Sequence, residues 1–146
     1  MPNPNFIQEN PLIPSLNPLE QAVIKKLLEG EHPILDSLRT QLAMATISSR
    51  EYSGAGFFIH FTFPVNSPPL PSPFKNFEIG HVEVKIPGPK YGVGVVLFVR
   101  NGLLDWIEGY TNGPEPWPKD TSIFEVEIWE QEKKKFMDYL EKKAKR

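Results

Sequence analysis

The residues best suited to chemistry or recognition lie in one short stretch around position 105. In an extended strand, Trp106, Glu108 and Tyr110 share one face and Asp105 points to the other, and Trp117 follows in a Pro-rich loop. Tyrosine and tryptophan combine a large apolar surface with a polar tip, which suits recognition of another molecule beside a carboxylate. The competing interpretation is structural, with Trp106 and Tyr110 packed beneath a helix and Glu108 solvated at a rim.

The same stretch resembles a segment shared by a group of small, uncharacterised bacterial proteins. That segment reads Gly-(Leu/Val)-Leu-Asp-x-(Leu/Ile)-Glu-Gly-(Tyr/Phe)-Thr and is followed by Trp-Pro. Here it runs from Gly102 to Thr111, with Trp117-Pro118 beyond it. The resemblance extends from about Leu19 to Ile128 and includes the Gly54-x-Gly56-Phe57-Phe58 stretch. It implies a small bacterial α+β protein, and because the group has no established activity, it implies no catalytic residue.

Two histidines and a glutamate raise the question of a metal site. A regular strand would put His81 and Glu83 on one face, with His60 on a neighbouring strand, and imidazole and carboxylate are good zinc ligands. Zinc deaminases that use a His-x-Glu segment also need Pro-Cys-x-x-Cys, and this chain has no cysteine. Solvated strand residues are the simpler interpretation, so we predict no metal and no cofactor.

The sequence also lacks the usual signatures of an enzyme. An acid–base pair needs two carboxyl groups held close together in a cleft, and the spacing of the candidate carboxylates does not place them so. There is no Gly-x-Ser-x-Gly elbow, no phosphate-binding loop and no dinucleotide fingerprint. We therefore predict no catalytic residue. The candidate carboxylates are Asp105, Glu108, Glu51 and Glu83.

Two helices, a sheet and a final helix are expected to position these residues. Asn17-Pro18-Leu19-Glu20 is a typical helix start with a capping box, and a second helix is expected from Pro33 to about Met44. Alternating patterns and an Asn101-Gly102 turn predict the strands. The expected strands cover residues 46–52, 57–63, 77–86, 92–99, 103–111 and 122–128, and a helix covers 129–143.

Two of these segments give more detailed expectations. Residues 92–99 are almost all apolar, which predicts a strand covered on both faces. In the last helix, Trp129, Phe136 and Leu140 are expected to form the apolar stripe. The order of elements favours an α+β fold with a mostly antiparallel sheet of about five to six strands. Residues 1–16 are expected to form an irregular arm, and residues 17–146 a single domain.

Composition limits the classes of partner and the compartment. Sixteen Lys and Arg stand against 18 Asp and Glu, for a net charge of −2, which disfavours nucleic acid as a partner. No segment has the apolar length of a membrane span, and the first residues do not resemble a signal peptide. The absence of cysteine fits a reducing compartment. We therefore expect a cytoplasmic protein with neither nucleic acid nor membrane as a partner.

Three hypotheses for function follow from the sequence. The first is a non-catalytic protein-interaction domain of an adaptor or immunity-like kind, an idea that rests on analogy at the level of fold. The second is a small-ligand binder or enzyme with a carboxylate-containing pocket between sheet and helices. The third is a structural homo-oligomer. The candidate binding residues are Asp105, Trp106, Glu108, Tyr110 and Trp117.

Overall fold

A computed structural model describes residues 16–145 of the 146-residue chain. The arm expected over residues 1–16 lies outside the described residues, apart from Leu16, which is buried. Three helices and seven strands make up this described range. The helices are α1 (Pro18–Leu27), α2 (Pro33–Met44) and α3 (Glu130–Ala144); the strands are β1 (Thr46–Tyr52), β2 (Gly56–Thr62), β3 (Phe77–Ile79), β4 (Val82–Lys85), β5 (Val93–Arg100), β6 (Leu103–Thr111) and β7 (Glu125–Ile128).

The strands form one antiparallel sheet in the order β1-β2-β6-β5-β4-β7, and β3 pairs with β5 beyond the end of β4. The longest ladders are the hairpins β1–β2 and β5–β6 and the β2–β6 contact between them. The α+β fold predicted from the sequence, with two N-terminal helices, an antiparallel sheet and a C-terminal helix, is confirmed.

Helix α1 begins with the predicted capping box, and that box is part of a buried ion pair. The Asn17 side chain accepts a hydrogen bond from Glu20 N (2.8 Å), and Asn17 N donates to Glu20 Oε1 (3.0 Å). Glu20 is only 3% exposed. Arg50, on β1, donates to both of its carboxylate oxygens, at 2.6 and 2.9 Å. The pair therefore joins α1 to the outermost strand of the sheet.

The pairing with Glu20 stabilises the protonated, charged form of Arg50. Burial on its own lowers the pKa of Arg50, but the hydrogen bond and the charge of Glu20 raise it above its usual value. A planar guanidinium that meets a carboxylate through two hydrogen bonds is a strong and geometrically specific contact. The Glu20 carboxylate, which is buried away from water, thus receives hydrogen bonds and an opposite charge from Arg50.

Helix α2 begins at the predicted Pro33, but its cap is a residue that sequence analysis did not assign. Nδ1 of His32 accepts a hydrogen bond from Ile34 N (3.1 Å), so the neutral ring carries its proton on Nε2. That nitrogen lies 3.7 Å from Glu141 Oε1 on α3. His32 therefore caps one helix and faces another.

A buried glutamine connects α2 to the β5–β6 turn. Asn101 (φ 55°) and Gly102 (φ 78°) both have positive φ, as the predicted two-residue turn requires. The Gln41 side chain donates to Gly102 O (2.9 Å) and accepts from Leu104 N (3.0 Å). Leu70 N also donates to Gly102 O (2.8 Å). The Gln41 side chain thus holds the helix to main-chain groups of the turn, and a main-chain hydrogen bond holds the Pro-rich loop to the same turn.

The helices cover only one face of the sheet within the described part of the chain. On β5, the side chains of Val93, Val95, Leu97 and Val99 are buried in the core, whereas Val96 and Phe98 are half-buried. The expectation that residues 92–99 are covered on both faces is therefore wrong. The apolar residues on the other face are shielded by neighbouring side chains of the sheet instead of by a second layer.

A β-bulge divides the predicted strand 77–86 and reverses the expected position of His81. Ile79 pairs with Leu97 and Glu83 pairs with Gly94, so four steps along this strand match three along β5. The extra residue turns the His81 side chain inward. His81 is 2% exposed, and its ring centroid lies 5.6 Å from that of Phe136 on α3. The expectation that His81 shares a solvated face with Glu83 is wrong.

The environment of His81 favours its neutral form. Within residues 16–145, neither ring nitrogen has a hydrogen-bond partner. Burial lowers the pKa of His81 below its ordinary value of 6.5, and the charge of Lys133 lowers it further. The nearby backbone of Lys26 and the carboxylate of Glu130 act in the opposite direction. Protonation of the His81 imidazole therefore destabilises the folded protein.

Acidification is therefore expected to destabilise the fold through His81. The unfolded chain takes up this proton near pH 6.5 and the folded chain only at lower pH, so the stabilising contribution is complete above 6.5. It is lost as the pH falls below 6.5, by at most about 1.4 kcal/mol per pH unit. Urea unfolding at pH 7.5 and 5.5 measures this. His81→Leu should lose less stability than wild type on acidification, whereas the control Ile123→Ala, which removes an exposed side chain without a titratable group, should behave as wild type. Equal losses in wild type and His81→Leu would refute the assignment.

Candidate binding surface

The uncovered face of the sheet, which we call the open face, carries the aromatic residues of β6. Ile107 and Gly109 of β6 are buried on the core side. Neighbouring residues of a strand point to opposite sides, so Trp106, Glu108 and Tyr110 all lie on the open face. The structural interpretation of Trp106 and Tyr110 as residues packed beneath a helix does not hold.

The centre of the open face is a stack of two aromatic rings and an arginine. Phe98 pairs with Trp106 across β5 and β6, and their rings stack with centroids 4.2 Å apart and planes 11° apart. The guanidinium carbon of Arg100 lies 5.4 Å from both ring centroids. Arg100 also forms an ion pair with Glu78 (3.2 Å). We call Phe98, Arg100 and Trp106 the aromatic stack.

Cross-strand register explains why this stack forms and what lies beside it. His60 on β2 pairs with Trp106 on the side away from Phe98, and the two ring centroids are 6.3 Å apart. His60 also lies 3.9 Å from Glu51 on β1. Directly opposed aromatic side chains are a favourable cross-strand arrangement, so Trp106 is held in a defined orientation.

Two of the sequence-predicted binding residues lie apart from this stack. Phe98 pairs with Trp106 and Val99 pairs with Leu104, so Asp105 is the extra residue of a bulge. Asp105 is half-buried beside the β5–β6 turn. Trp117 lies at the opposite face, where its ring packs edge-on against Phe57 with centroids 5.0 Å apart. Sequence spacing could not show that the two tryptophans lie on different faces.

A groove with a glycine floor lies next to the stack on the open face. Its walls carry Tyr91, Tyr110 and Trp129, which are 61%, 40% and 54% exposed. Its volume is about 710 Å³. We call it the aromatic groove. Its floor includes Gly80, Gly92 and Gly94.

The glycines are needed for the shape of the groove. A Cβ added to Gly94 would lie 2.4 Å from Cζ of Tyr110, so the tyrosine ring rests directly on the backbone of β5. A Cβ on Gly92, whose φ is +73°, would lie 2.4 Å from Val84 O. A side chain at position 94 would push Tyr110 outward, and one at position 92 would separate β4 from β5. Either change would alter the shape of the groove.

The charges around the groove are mostly arranged in pairs. Lys85 lies 3.3 Å from Glu127, and Nζ of Lys90 lies 5.4 Å from the ring centroid of Tyr91. Glu83, which is exposed, forms no ion pair with any residue of the described chain. Burial raises the pKa of Tyr110, and the neighbouring charge of Glu108 raises it further, so the hydroxyl keeps its proton.

Sequence analysis missed Tyr91 and Trp129 as parts of this surface. Trp129 was expected in the apolar stripe of the last helix, and this is wrong. Trp129 precedes α3 as its N-cap residue, and its backbone N–H donates to His81 O (2.8 Å). The contact continues the β4–β7 pairing, so Trp129 follows strand geometry. Tyr91 follows Pro-Gly-Pro in a turn, and the turn signal gave its location but not the direction of its ring.

Residues 16–145 contain neither a cluster of metal ligands nor a membrane-spanning helix. Between residues 16 and 145, no three or more His, Cys, Asp or Glu side chains lie close enough together to hold a metal ion. In the same range, no helix is both long and apolar enough to cross a bilayer.

Comparison with known proteins gives no information about the function. The chain matches no family model, no curated protein and no solved structure with which it was compared. The geometry of the open face is therefore the basis for a proposal about function.

Proposed function

We propose that this protein is a non-catalytic protein-interaction domain, of the adaptor or immunity-like kind, that holds another protein on the open face of its sheet. The observation that supports this most directly is the aromatic stack. Trp106 and Arg100 lie side by side at the centre of a face that no helix covers within residues 16–145. Tryptophan, tyrosine and arginine are the residue types that dominate binding energy at protein interfaces.

The arrangement of charge around the stack also fits a protein partner. Ion pairs such as Arg100–Glu78 and Lys85–Glu127 lie beside the apolar centre. Protein interfaces commonly have an apolar, aromatic centre inside a polar rim. The acidic residues on this face, among them Glu83 and Glu108, oppose the binding of phosphate backbones, in keeping with the expectation that nucleic acid is not a partner.

The packing between sheet and helices favours this proposal over an internal ligand pocket. Apolar side chains from both layers meet there, including Leu35, Leu97 and Ile107, each 0% exposed. A small-ligand site would need a concavity with polar groups that point into it. A homo-oligomer that pairs through the open face is the third hypothesis, and the solution mass of the purified protein distinguishes it from binding to a different protein.

Substitution of Trp106 provides the test of this proposal. Affinity capture from the source cells, followed by titration of the captured partner, should show that Trp106→Ala weakens binding at least about 30-fold, as expected for a residue at the centre of an interface. Ile123→Ala is the control, because Ile123 is 71% exposed and lies outside the open face. Urea unfolding would verify that both variants fold. Equal binding by Trp106→Ala and wild type would contradict the proposal.

A further inference from the structure

We infer that the aromatic groove binds a proline-rich peptide segment that carries a cationic side chain. This inference rests on the proposed function and names the kind of partner segment that the open face receives. It is carried by the hydrogen-bonding groups, shape, strand pairing and charge of the groove.

Each of the three aromatic residues of the groove walls offers a hydrogen-bond donor. The hydroxyls of Tyr91 and Tyr110 and the indole N–H of Trp129 make no hydrogen bond to any residue in the range 16–145. Proline has no backbone N–H, so a proline-rich segment presents carbonyl acceptors with few donors. The groove and the segment are therefore complementary in hydrogen bonding.

The shape of the groove suits a polyproline II helix. Such a helix is preformed, has three residues per turn and makes no internal hydrogen bonds. It is recognised by grooves whose walls are aromatic side chains. Here three partly exposed rings stand above a floor of glycine backbone, so rings can pack against proline rings while the peptide carbonyls reach the donors.

Strand pairing excludes the addition of an extended peptide as a new strand at β4 and β5, whereas β7, at the edge of the sheet, pairs only with β4. Strand β4 pairs with β5 and β7, and β5 pairs with β4 and β6. The strands under the groove therefore present no free edge to which a peptide could add as a new strand. Over β4 and β5, recognition therefore comes from side chains that project from the sheet.

The unpaired carboxylate at one end of the groove favours a cation there. Glu83 lies two residues after His81, whose carbonyl oxygen accepts a hydrogen bond from the backbone N–H of Trp129. The Glu83 carboxylate forms no ion pair with any residue of the described chain. Lys85 and Lys90 lie toward the β4–β5 turn at the other end. An arginine or lysine of the peptide is expected beside Glu83 and over the ring of Trp129, which is the favourable arrangement for a cation near an aromatic face.

Direct titration with synthetic peptides tests this inference. The probes are fluorescein-labelled peptides with a Pro-x-x-Pro core and one arginine placed at each position in turn; control peptides have glutamate in place of arginine, or alanine in place of the prolines. Fluorescence anisotropy should show saturable binding of at least one arginine peptide, and weaker binding of its glutamate and alanine counterparts. Failure of the whole panel to bind would overturn the inference.

Variants of the protein locate the binding and separate this inference from the proposed function. Trp129→Ala and Tyr91→Ala replace exposed rings, so the fold should persist, and each should weaken peptide binding at least about tenfold. Glu83→Lys should remove the preference for arginine over glutamate. Ile123→Ala should leave peptide binding unchanged, because Ile123 lies outside the groove. Unchanged binding in the groove variants would overturn the inference, while partner binding that depends on Trp106 would still support the proposed function.

Discussion

Replacing Arg50 with methionine is expected to lower the free energy of unfolding by about 3–5 kcal/mol, the usual cost of leaving a buried charge without its partner. The substitution keeps much of the apolar stem but leaves the Glu20 carboxylate, only 3% exposed, without its two guanidinium hydrogen bonds. The remaining hydrogen bond from Asn17 N cannot compensate for the lost charge. Urea unfolding monitored by circular dichroism measures the difference.

A matched substitution and a second background make this prediction specific. Arg39→Met removes an exposed ion pair with Asp36 and a hydrogen bond to Leu28 O, and such contacts contribute about 1 kcal/mol each. In a Glu20→Gln background, Arg50→Met should cost clearly less than it does in wild type, because no buried charge is then left unpaired. A loss in Arg50→Met no larger than that in Arg39→Met would show that the ion pair does not hold α1 to β1.

Replacing Gln41 with leucine is expected to cost about 2–4 kcal/mol, because each buried polar group left unpaired costs about 1–3 kcal/mol. Leucine has a similar volume, so the effect comes from hydrogen bonding and not from a cavity. Leu104 N loses its acceptor, and Gly102 O loses one of its two donors. The same urea unfolding measures the change.

The control for this prediction is the same chemical change at an exposed helical site. Gln131→Leu, near the start of α3, is exposed and should change the stability by less than about 0.5 kcal/mol. Hydrogen exchange of the Leu104 amide provides a second measurement, because this amide should exchange faster in Gln41→Leu than in wild type. If neither stability nor exchange differs from the control, Gln41 does not hold the turn.

Local signals predicted the elements of the fold well. The capping box at Asn17, the proline at the start of α2 and the Asn101-Gly102 turn each act within four residues, so the sequence alone contains their physics. Strand alternation also placed Trp106, Glu108 and Tyr110 on one face. Alternation does not say which face the helices cover, because β5 is apolar on both sides.

Features that depend on contacts between distant residues could not be predicted in the same way. The bulge before His81 changes the side to which one side chain points, and it depends on register against β5. Trp129 belongs to the open face because its backbone N–H donates to the carbonyl oxygen of His81, just before β4. Gln41 looks like an ordinary helical residue until the turn some 60 positions later lies against it. The groove combines residues from β4, β5, β6, a turn and the start of α3.

The most direct test of the open face as an interaction surface is photo-crosslinking inside the source cells. A photoreactive phenylalanine analogue would replace His60, whose ring lies 6.3 Å from that of Trp106, or Lys134, which is exposed on α3. The account predicts a covalent adduct with a second protein from position 60, lost in the Trp106→Ala background, and none from position 134. Adducts from position 134 alone, or adducts from position 60 that persist without Trp106, would contradict it.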